Sequence, residues 1–193
     1  MPKCLKEIAQ VQVGYSFRSR MEVCAGGVSV VQMKDLTSDD VVDCRELQRV
    51  NVGEVKDSQI LLRGDLVFRS RGMDMSPALM VDEPGEAIVL AAPLYRVRVN
   101  SSLEVLPAYL NWYLHQDEAQ AYLASRIKGT AQKMVSKNSL EGLPVDLPDL
   151  PTQQAIVDMA ALLQRELTLL EALSERRRAL ISTQLMQLAK EDS

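Results

Sequence analysis

After Pro151 the chain runs to Ala189 without a glycine or a second proline, and Ala, Leu, Glu, Gln and Arg dominate it. These are the residues that lose least on entering a helix, so the segment is constrained to one long helix. Pro151 suits its first turn, where a missing N–H goes unused. Ile156, Met159, Leu163, Leu167, Leu170, Leu173, Leu180, Ile181, Leu185 and Leu188 recur mainly in steps of three and four, which keeps them on one face. Their spacing departs from a strict heptad, favouring a gently wound helix pair over an ideal zipper. At ~1.5 Å per residue the segment makes a rod of roughly 58 Å, longer than the preceding domain can cover, and its stripe needs a partner. The simpler arrangement is an amphipathic helix folded back on its own domain. The Pro-rich link from Leu143 to Pro151 favours a projecting arm instead. Arg176, Arg177 and Arg178 interrupt the stripe and read as a solvated face or as a docking site for an acidic surface.

Residues 1–150 follow a different pattern, that of a mixed α/β domain. Val11–Val13, Val28–Met33, Ile60–Leu62, Leu66–Phe68, Ala87–Leu90 and Leu94–Val99 predict strands, with a turn at Gly64-Asp65. Pro107 to Arg126 carries Leu110, Tyr113, Leu114, Ala121 and Tyr122 at helical spacing. The expected organisation is thus a mixed α/β domain over 1–150 and a long helix over 151–193.

No apolar run approaches the ~20 residues of a membrane span, and the N-terminal residues Met1–Glu7 have no apolar signal core, so a soluble, cytoplasmic protein is expected. Cys4, Cys24 and Cys44 lack the spacing of a zinc site or a disulfide framework and read as reduced thiols. No metal and no cofactor is expected.

Catalytic patterns are equally sparse. There is no GxxxxGK[ST] loop, and Gly26-Gly27 lacks the third glycine of a dinucleotide fingerprint. His115 is the single histidine, among Leu and Gln on a helix, and reads as a surface or capping residue. Asp39, Asp40 and Glu118 have no matching acid–base partner in the sequence. A binding protein without catalytic residues is the better expectation.

Three polar sets stand out. Arg18, Ser19 and Arg20 form one; Arg69, Ser70 and Arg71 form another, with the same four letters, FRSR, as the first; Lys128 to Asn138, with Thr130, Gln132, Lys133 and Lys137, is the third. Lys and Arg neutralise phosphates, Ser and Thr donate to phosphate oxygens, and Arg or Gln can pair with a purine edge. Each set taken alone also reads as solvated charge. The total is acidic, at −4, with 17 Lys and Arg against 20 Asp and Glu in residues 1–151 and five against six in the remainder. Any phosphate contact must therefore be local, and binding by the isolated chain weak and salt-sensitive.

Several phrases in order carry a family resemblance. Lys128-Gly129-Thr130-Ala131-Gln132-Lys133-Met134 is followed by Leu140-Glu141-Gly142-Leu143-Pro144-Val145-Asp146-Leu147-Pro148. Leu147-Pro148-Asp149-Leu150-Pro151-Thr152-Gln153-Gln154-Ala155-Ile156 then leads into the helix. Upstream stands Leu62-Arg63-Gly64-Asp65-Leu66-Val67-Phe68-Arg69-Ser70-Arg71-Gly72. Together they resemble the specificity subunits of type I restriction-modification enzymes, with their G-[ST]-x-Q loop, P-L-P-x-L-x-x-Q-x-x-I phrase and G-D-hydrophobic-hydrophobic-F-x-x-x-G strand.

The resemblance implies a non-enzymatic subunit whose target-recognition domain reads one half of a split site in double-stranded DNA. Long helices in the family hold two such domains apart and dock methyltransferase subunits that use S-adenosylmethionine; a translocating nuclease subunit can join. This chain has one domain and one helix, which implies a half-length form. A second copy, paired antiparallel through the helix stripe, would restore the architecture and read an inverted repeat. Too little else recurs around the two FRSR stretches for a duplication; the resemblance puts both on one DNA-facing surface. It implies contacts from Arg18, Arg20, Arg69, Arg71, Lys128, Lys133 and Lys137, phosphate donors in Ser19 and Ser70, and base readers in Gln32, Lys34, Thr130 and Gln132. The competing reading is a helical adaptor whose α/β domain binds a protein.

Overall fold

The computed structural model describes residues 2–17, 23–53, 55–72, 75–127 and 134–191. The chain divides into two compact units, Met1–Gln154 and Ala155–Ser193.

The first unit is built on β5 (Leu66–Arg69), whose Leu66-Val67-Phe68 run is buried throughout. A continuous apolar run is what a strand covered on both faces requires. Leu66 and Phe68 enter a core with Leu5, Ile8, Val97, Leu110, Leu114, Leu123, Leu140 and Val145. Val67, on the opposite face, joins Val31, Leu61, Met80, Ile88, Leu90 and Leu94. β5 lies in an antiparallel sheet of order β2-β8-β5-β6, where β2 is Ala9–Val13, β6 Pro77–Leu79 and β8 Leu94–Val99. The register sets Ala9 opposite Val99, Val13 opposite Tyr95, and Phe68 between Tyr95 and Pro77.

A second sheet has the order β4-β3-β7, with β3 spanning Val23–Val31, β4 Gln48–Val50 and β7 Ile88–Leu90. β3 runs antiparallel to β4, with an irregularity between Val23 and Val28, and parallel to β7. Val30, Val50, Val52, Val89 and Ala91 pack on one face of it. A two-stranded ribbon joins β1 (Lys3–Cys4) to β9 (Pro144–Val145), and Leu5 N donates to Leu143 O at 2.8 Å. The opening residues, including α1 (Leu5–Ile8), thereby tie to the closing phrase of the domain.

Gly64 explains the Gly-Asp turn before β5. Its φ is +86°, a region glycine enters without the Cβ penalty. The turn carries Asp65 inward, where it is 1% exposed and accepts from Leu62 N at 2.8 Å and from Arg98 Nε and Nη2, each at 2.6 Å.

Two expectations change. Ile60–Leu62 is not a strand: Ile60 makes one isolated bridge to Val89, and its carbonyl accepts from Arg96 at 3.2 Å and Arg98 at 2.9 Å. Pro107 to Arg126 forms two helices, α2 (Pro107–Leu114) and α3 (Asp117–Ala124). Gln116 turns extended between them, donates to Trp112 O at 2.7 Å, and Gln120 donates to Leu114 O at 2.5 Å. These amides satisfy carbonyls left open at the α2 C-terminus.

After α4 (Lys137–Glu141), tyrosines from α2 and α3 hold the next segment: Tyr109, Tyr113 and Tyr122 donate to the carbonyls of Asp146 (2.6 Å), Pro144 (3.3 Å) and Gly142 (2.6 Å). α5 spans Leu150–Glu191, 42 residues or about 63 Å. Asp149 caps it by accepting from Thr152 N at 3.0 Å, and hydrogen bonding from the Thr152 side chain, with this backbone bond, holds the Asp149 carboxyl below the usual range. Pro151 falls in its first turn, as expected.

The first compact unit runs on into the start of α5, to Gln154, because Gln153 belongs to the α/β unit. It is fully buried, donates to Glu104 O at 2.9 Å and Pro148 O at 2.8 Å, and accepts from Leu106 N at 2.9 Å. Residues 161–190 are all exposed, including the large apolar side chains from Leu162 to Leu188. The mixed α/β unit followed by a long helix is the expected fold class. Among the described residues no helix is long and apolar enough to cross a membrane.

Candidate nucleic-acid interface

The end of β5 is the junction where the polar sets meet. Ser70, fully buried, donates its hydroxyl to Pro93 O, and its own carbonyl accepts from Val135 N at 2.9 Å. Arg71 and Met134 form an isolated antiparallel bridge, with Arg71 Nε 3.3 Å from Met134 Sδ. Tyr95 OH fixes the same strip by donating to Val135 O at 3.1 Å. The second and third sets thus share one backbone junction.

Residues ahead of the first set come to the same place. Tyr15 N donates to Leu90 O at 2.6 Å, and Ala92 N donates to Tyr15 O at 2.9 Å. The Tyr15 and Phe17 rings stack obliquely with centroids 4.9 Å apart. The short run 90–93 therefore touches Tyr15 on one side and Ser70 on the other. A fourth segment, Gln32–Leu36, is drawn in by Arg69 Nη2, which donates to Leu36 O at 2.9 Å. Beside it Gly72, at φ +113°, a conformation that favours glycine, turns the chain past the Met33 side chain.

This geometry separates residues that the sequence treats alike. Arg69 is half-buried, and besides Leu36 O it donates to Ser76 Oγ at 2.7 Å, so its guanidinium braces the junction from within. Arg71 is exposed. Ser70 lies in the core, which corrects its assignment as a phosphate donor: a hydroxyl with no exposed surface has nothing to offer a ligand. Gln32 donates its side-chain amide to Gln48 Oε1 at 2.7 Å. Lys34 is 3.4 Å from Asp35 and lines an open groove with Asp43, Arg45 and Glu46, where carboxylates counter its charge. Asp43 is itself held to about 2, first by hydrogen bonds from Arg45, and stays ionised. Lys137 lies 3.5 Å from Glu141 and lines a different groove with Lys6, Glu7 and Arg98. Arg18, Ser19, Arg20, Lys128, Thr130, Gln132 and Lys133 lie outside the described residues.

The sequence reading missed the arginines of β8. Arg96 is 3% exposed and donates to Ser58 O at 2.7 Å, Ile60 O at 3.2 Å and Gln10 Oε1 at 3.2 Å. Burial, with Arg98 adjacent, lowers its pKa. Both cations alternate with valines in the β8 sequence, a pattern that usually marks a solvent face; here they sew the 58–65 loop to the sheet. His115 is likewise structural: Nδ1 donates to Asn111 O at 2.8 Å and Nε2 faces Asp40 at 3.1 Å. Among the described residues no three His, Cys, Asp or Glu gather as metal ligands.

A model of the type I restriction modification DNA specificity domain matches residues 1–176. No curated protein matches the sequence. Among solved structures, the HsdS subunit from Thermoanaerobacter tengcongensis is 20% identical with a TM-score of 0.63, over 87% of this chain and 38% of that one. A chain from a study of complex assembly and conformational transition in the type I R-M system is 18% identical, with a TM-score of 0.67 over 88% and 39%. The type I restriction-modification S subunit from M. genitalium is 13% identical, with a TM-score of 0.57 over 92% and 42%. This chain spans about two-fifths of the length of each solved relative, and at these identities the likeness is one of fold. With the family's own model covering residues 1–176, the chain belongs to the type I restriction-modification DNA specificity domain family.

Proposed function

We propose that this chain is the sequence-reading component of a type I restriction-modification complex, contacting double-stranded DNA through the junction at the end of β5. Family membership gives the class of ligand. The observation that carries the location is the Ser70–Val135 and Arg71–Met134 pairing, which brings two of the three polar sets together beside an exposed Arg71. In this reading Arg71, Lys34 and Lys137 supply described cations and Gln32 a base reader. Arg18, Arg20, Lys128 and Lys133 supply further cations, and Ser19, Thr130 and Gln132 hydrogen bonds. Arg69 holds the junction rather than the DNA.

The chain works as a half-length homodimer, its exposed α5 stripe pairing with a second copy so that two α/β units read an inverted repeat. Methyltransferase subunits dock on the helices and carry out the chemistry with their own S-adenosylmethionine; a nuclease subunit completes the restricting form. The acidic balance makes the isolated chain a weak binder, with much of the phosphate grip supplied by the partners.

The test is selection of bound sequences from a random duplex library by the chain assembled with methyltransferase subunits. Recovery of a split motif with inverted halves supports the reading, and a single unsplit motif removes the homodimer. No enrichment at low salt, with a stable complex to another protein, leaves the adaptor reading in its place.

A further inference from the structure

Gln48 and Gln32 form an amide pair on the sheet of order β4-β3-β7. Gln48 opens β4 opposite Val30 of β3, and Gln32, extended at φ −120° and ψ 174°, lies one residue past the end of β3. Side chains two apart on an extended chain share a face. Gln32 and Gln48 therefore flank Val30 on the face where Val50 and Val89 are buried and Tyr15 and Phe17 pack. On the opposite face Ser29 Oγ donates to Glu86 Oε1 at 2.6 Å and Arg49 Nη2 pairs with Glu86 Oε2, so the polar groups there take one another.

The pair is held at both ends. The ladder with β3 fixes the Gln48 backbone, and Gln32 N donates to Asp35 Oδ2 at 2.8 Å. Gln32 Nε2 donates to Gln48 Oε1 at 2.7 Å, which turns the Gln48 oxygen toward Gln32; among the described residues Gln48 Nε2 has no partner. Both residues are half-buried, so the amide is set in place and still reachable. A carbonyl oxygen accepts twice. Gln48 thus offers an acceptor and a donor side by side, already oriented, with little rotamer freedom left to lose on meeting a ligand.

That offer matches one base edge. In the major groove adenine presents N7 as an acceptor beside its N6 amino donor. Guanine would set O6 against the amide oxygen, and cytosine and thymine each present a single polar group. The surroundings suit DNA as well: Lys34 is exposed two residues beyond Gln32, and Arg69 ties Leu36 of the same segment to the end of β5. Phe17, packed on the same face, is the last described residue ahead of the Arg18–Arg20 set.

We propose that Gln48 reads an adenine in the major groove, Nε2 donating to N7 and Oε1 accepting from the N6 amino group, with Gln32 as the positioning residue that holds its amide. The inference rests on the DNA reading above and makes the part of Gln32 in base reading an indirect one, exercised through Gln48.

The experiment selects bound sequences from a random duplex library with the chain assembled with methyltransferase subunits. It compares the wild type with Gln48→Glu, Gln48→Met and Gln32→Leu, with urea midpoints as the check on folding. Gln48→Glu keeps the shape and the bond from Gln32 but offers only acceptors, so the preference at one position moves from adenine to cytosine, whose N4 amino group donates. Gln48→Met cuts discrimination at that position roughly five- to hundredfold. Gln32→Leu weakens the adenine preference there without changing the preferred base. All other positions keep their preferences, a pattern that loosened packing would not produce. A wild-type motif that both Gln48 variants leave unchanged, or weaken at every position alike, overturns the assignment and leaves the DNA reading standing. A change at a position where the wild type prefers another base overturns the adenine match. A wild type that selects no motif overturns both readings.

Discussion

Arg98 grips Asp65 through two hydrogen bonds of 2.6 Å, at the Gly-Asp turn that leads into β5. The two partners are unequal: the Asp65 side chain is 2% exposed and that of Arg98 30%. Arg98→Met leaves a carboxylate in the core with only Leu62 N as a described partner, and should cost about 3–5 kcal/mol. Asp65→Asn keeps an oxygen for Leu62 N and leaves Arg98 with Ile60 O and water, so its cost should be smaller, about 1–2 kcal/mol. Urea midpoints of the two variants measure the order. Equal losses would mean that the bidentate geometry, rather than the stranded carboxylate, sets the energy.

Gln153 closes the α/β unit from the first turn of α5, with three hydrogen bonds to Glu104, Leu106 and Pro148. Replacing it with Ala leaves a buried N–H and two carbonyls without their partner, at about 2–4 kcal/mol. Gln153→Glu is expected to be no better, because an ionised carboxylate faces two carbonyl oxygens. The same bonds decide where the domain can be cut. A chain ending at Gln154 should melt cooperatively, and one ending at Leu150 should melt lower by a margin close to that of Gln153→Ala. Calorimetry of the two truncations makes the comparison.

Regular periodicity made β2, β3, β5, β7, β8 and α5 legible in the sequence, while the two- and three-residue strands β1, β4, β6 and β9 are too short to show a period; the ordered phrases around Gly64-Asp65 and Leu147–Ile156 made the family resemblance legible. What escaped it lies where side chains replace backbone in satisfying polar groups. Ile60-Leu61-Leu62 has strand composition, yet Arg96 and Arg98 take the Ile60 carbonyl that a ladder would use. The pause between α2 and α3 has no Gly or Pro to announce it, because Gln116 and Gln120 cap it through their amides. The polar sets show the same limit. Arg69 and Arg71 are two residues apart in one motif, and only the fold distinguishes a guanidinium spent on Leu36 and Ser76 from an exposed one.

Tyr109 supplies a pH signature. Burial, helped by Tyr113 and Asp146, pushes its hydroxyl up to about 12. An unfolded tyrosine ionises near 10. The folded state therefore favours the neutral phenol, and the contribution is complete below about pH 10 and lost as the pH rises through about 12. Urea midpoints should fall over that window more steeply for the wild type than for Tyr109→Phe. At neutral pH the Phe variant should be less stable by about 1 kcal/mol, for loss of the bond to Asp146 O. Parallel curves above pH 10 would assign the alkaline loss to other groups.

Arg69 and Arg71 test the proposed interface by failing in different ways. Arg69→Ala removes the described bonds to Ser76 Oγ and Leu36 O and should lower stability by about 1–3 kcal/mol, weakening DNA binding only through the loosened junction. Arg71 is exposed, so Arg71→Ala should leave the urea midpoint nearly unchanged. If Arg71 contacts a phosphate, the variant binds every duplex more weakly and the slope of log affinity against log salt falls by about one. If it pairs with a guanine edge, the slope holds and discrimination at one base position relaxes by about 1–3 kcal/mol. Titrations of the assembled complex at several salt concentrations, on selected and scrambled duplexes, separate the two. An Arg71→Ala variant with native stability, slope and selectivity would remove the end of β5 from the DNA surface.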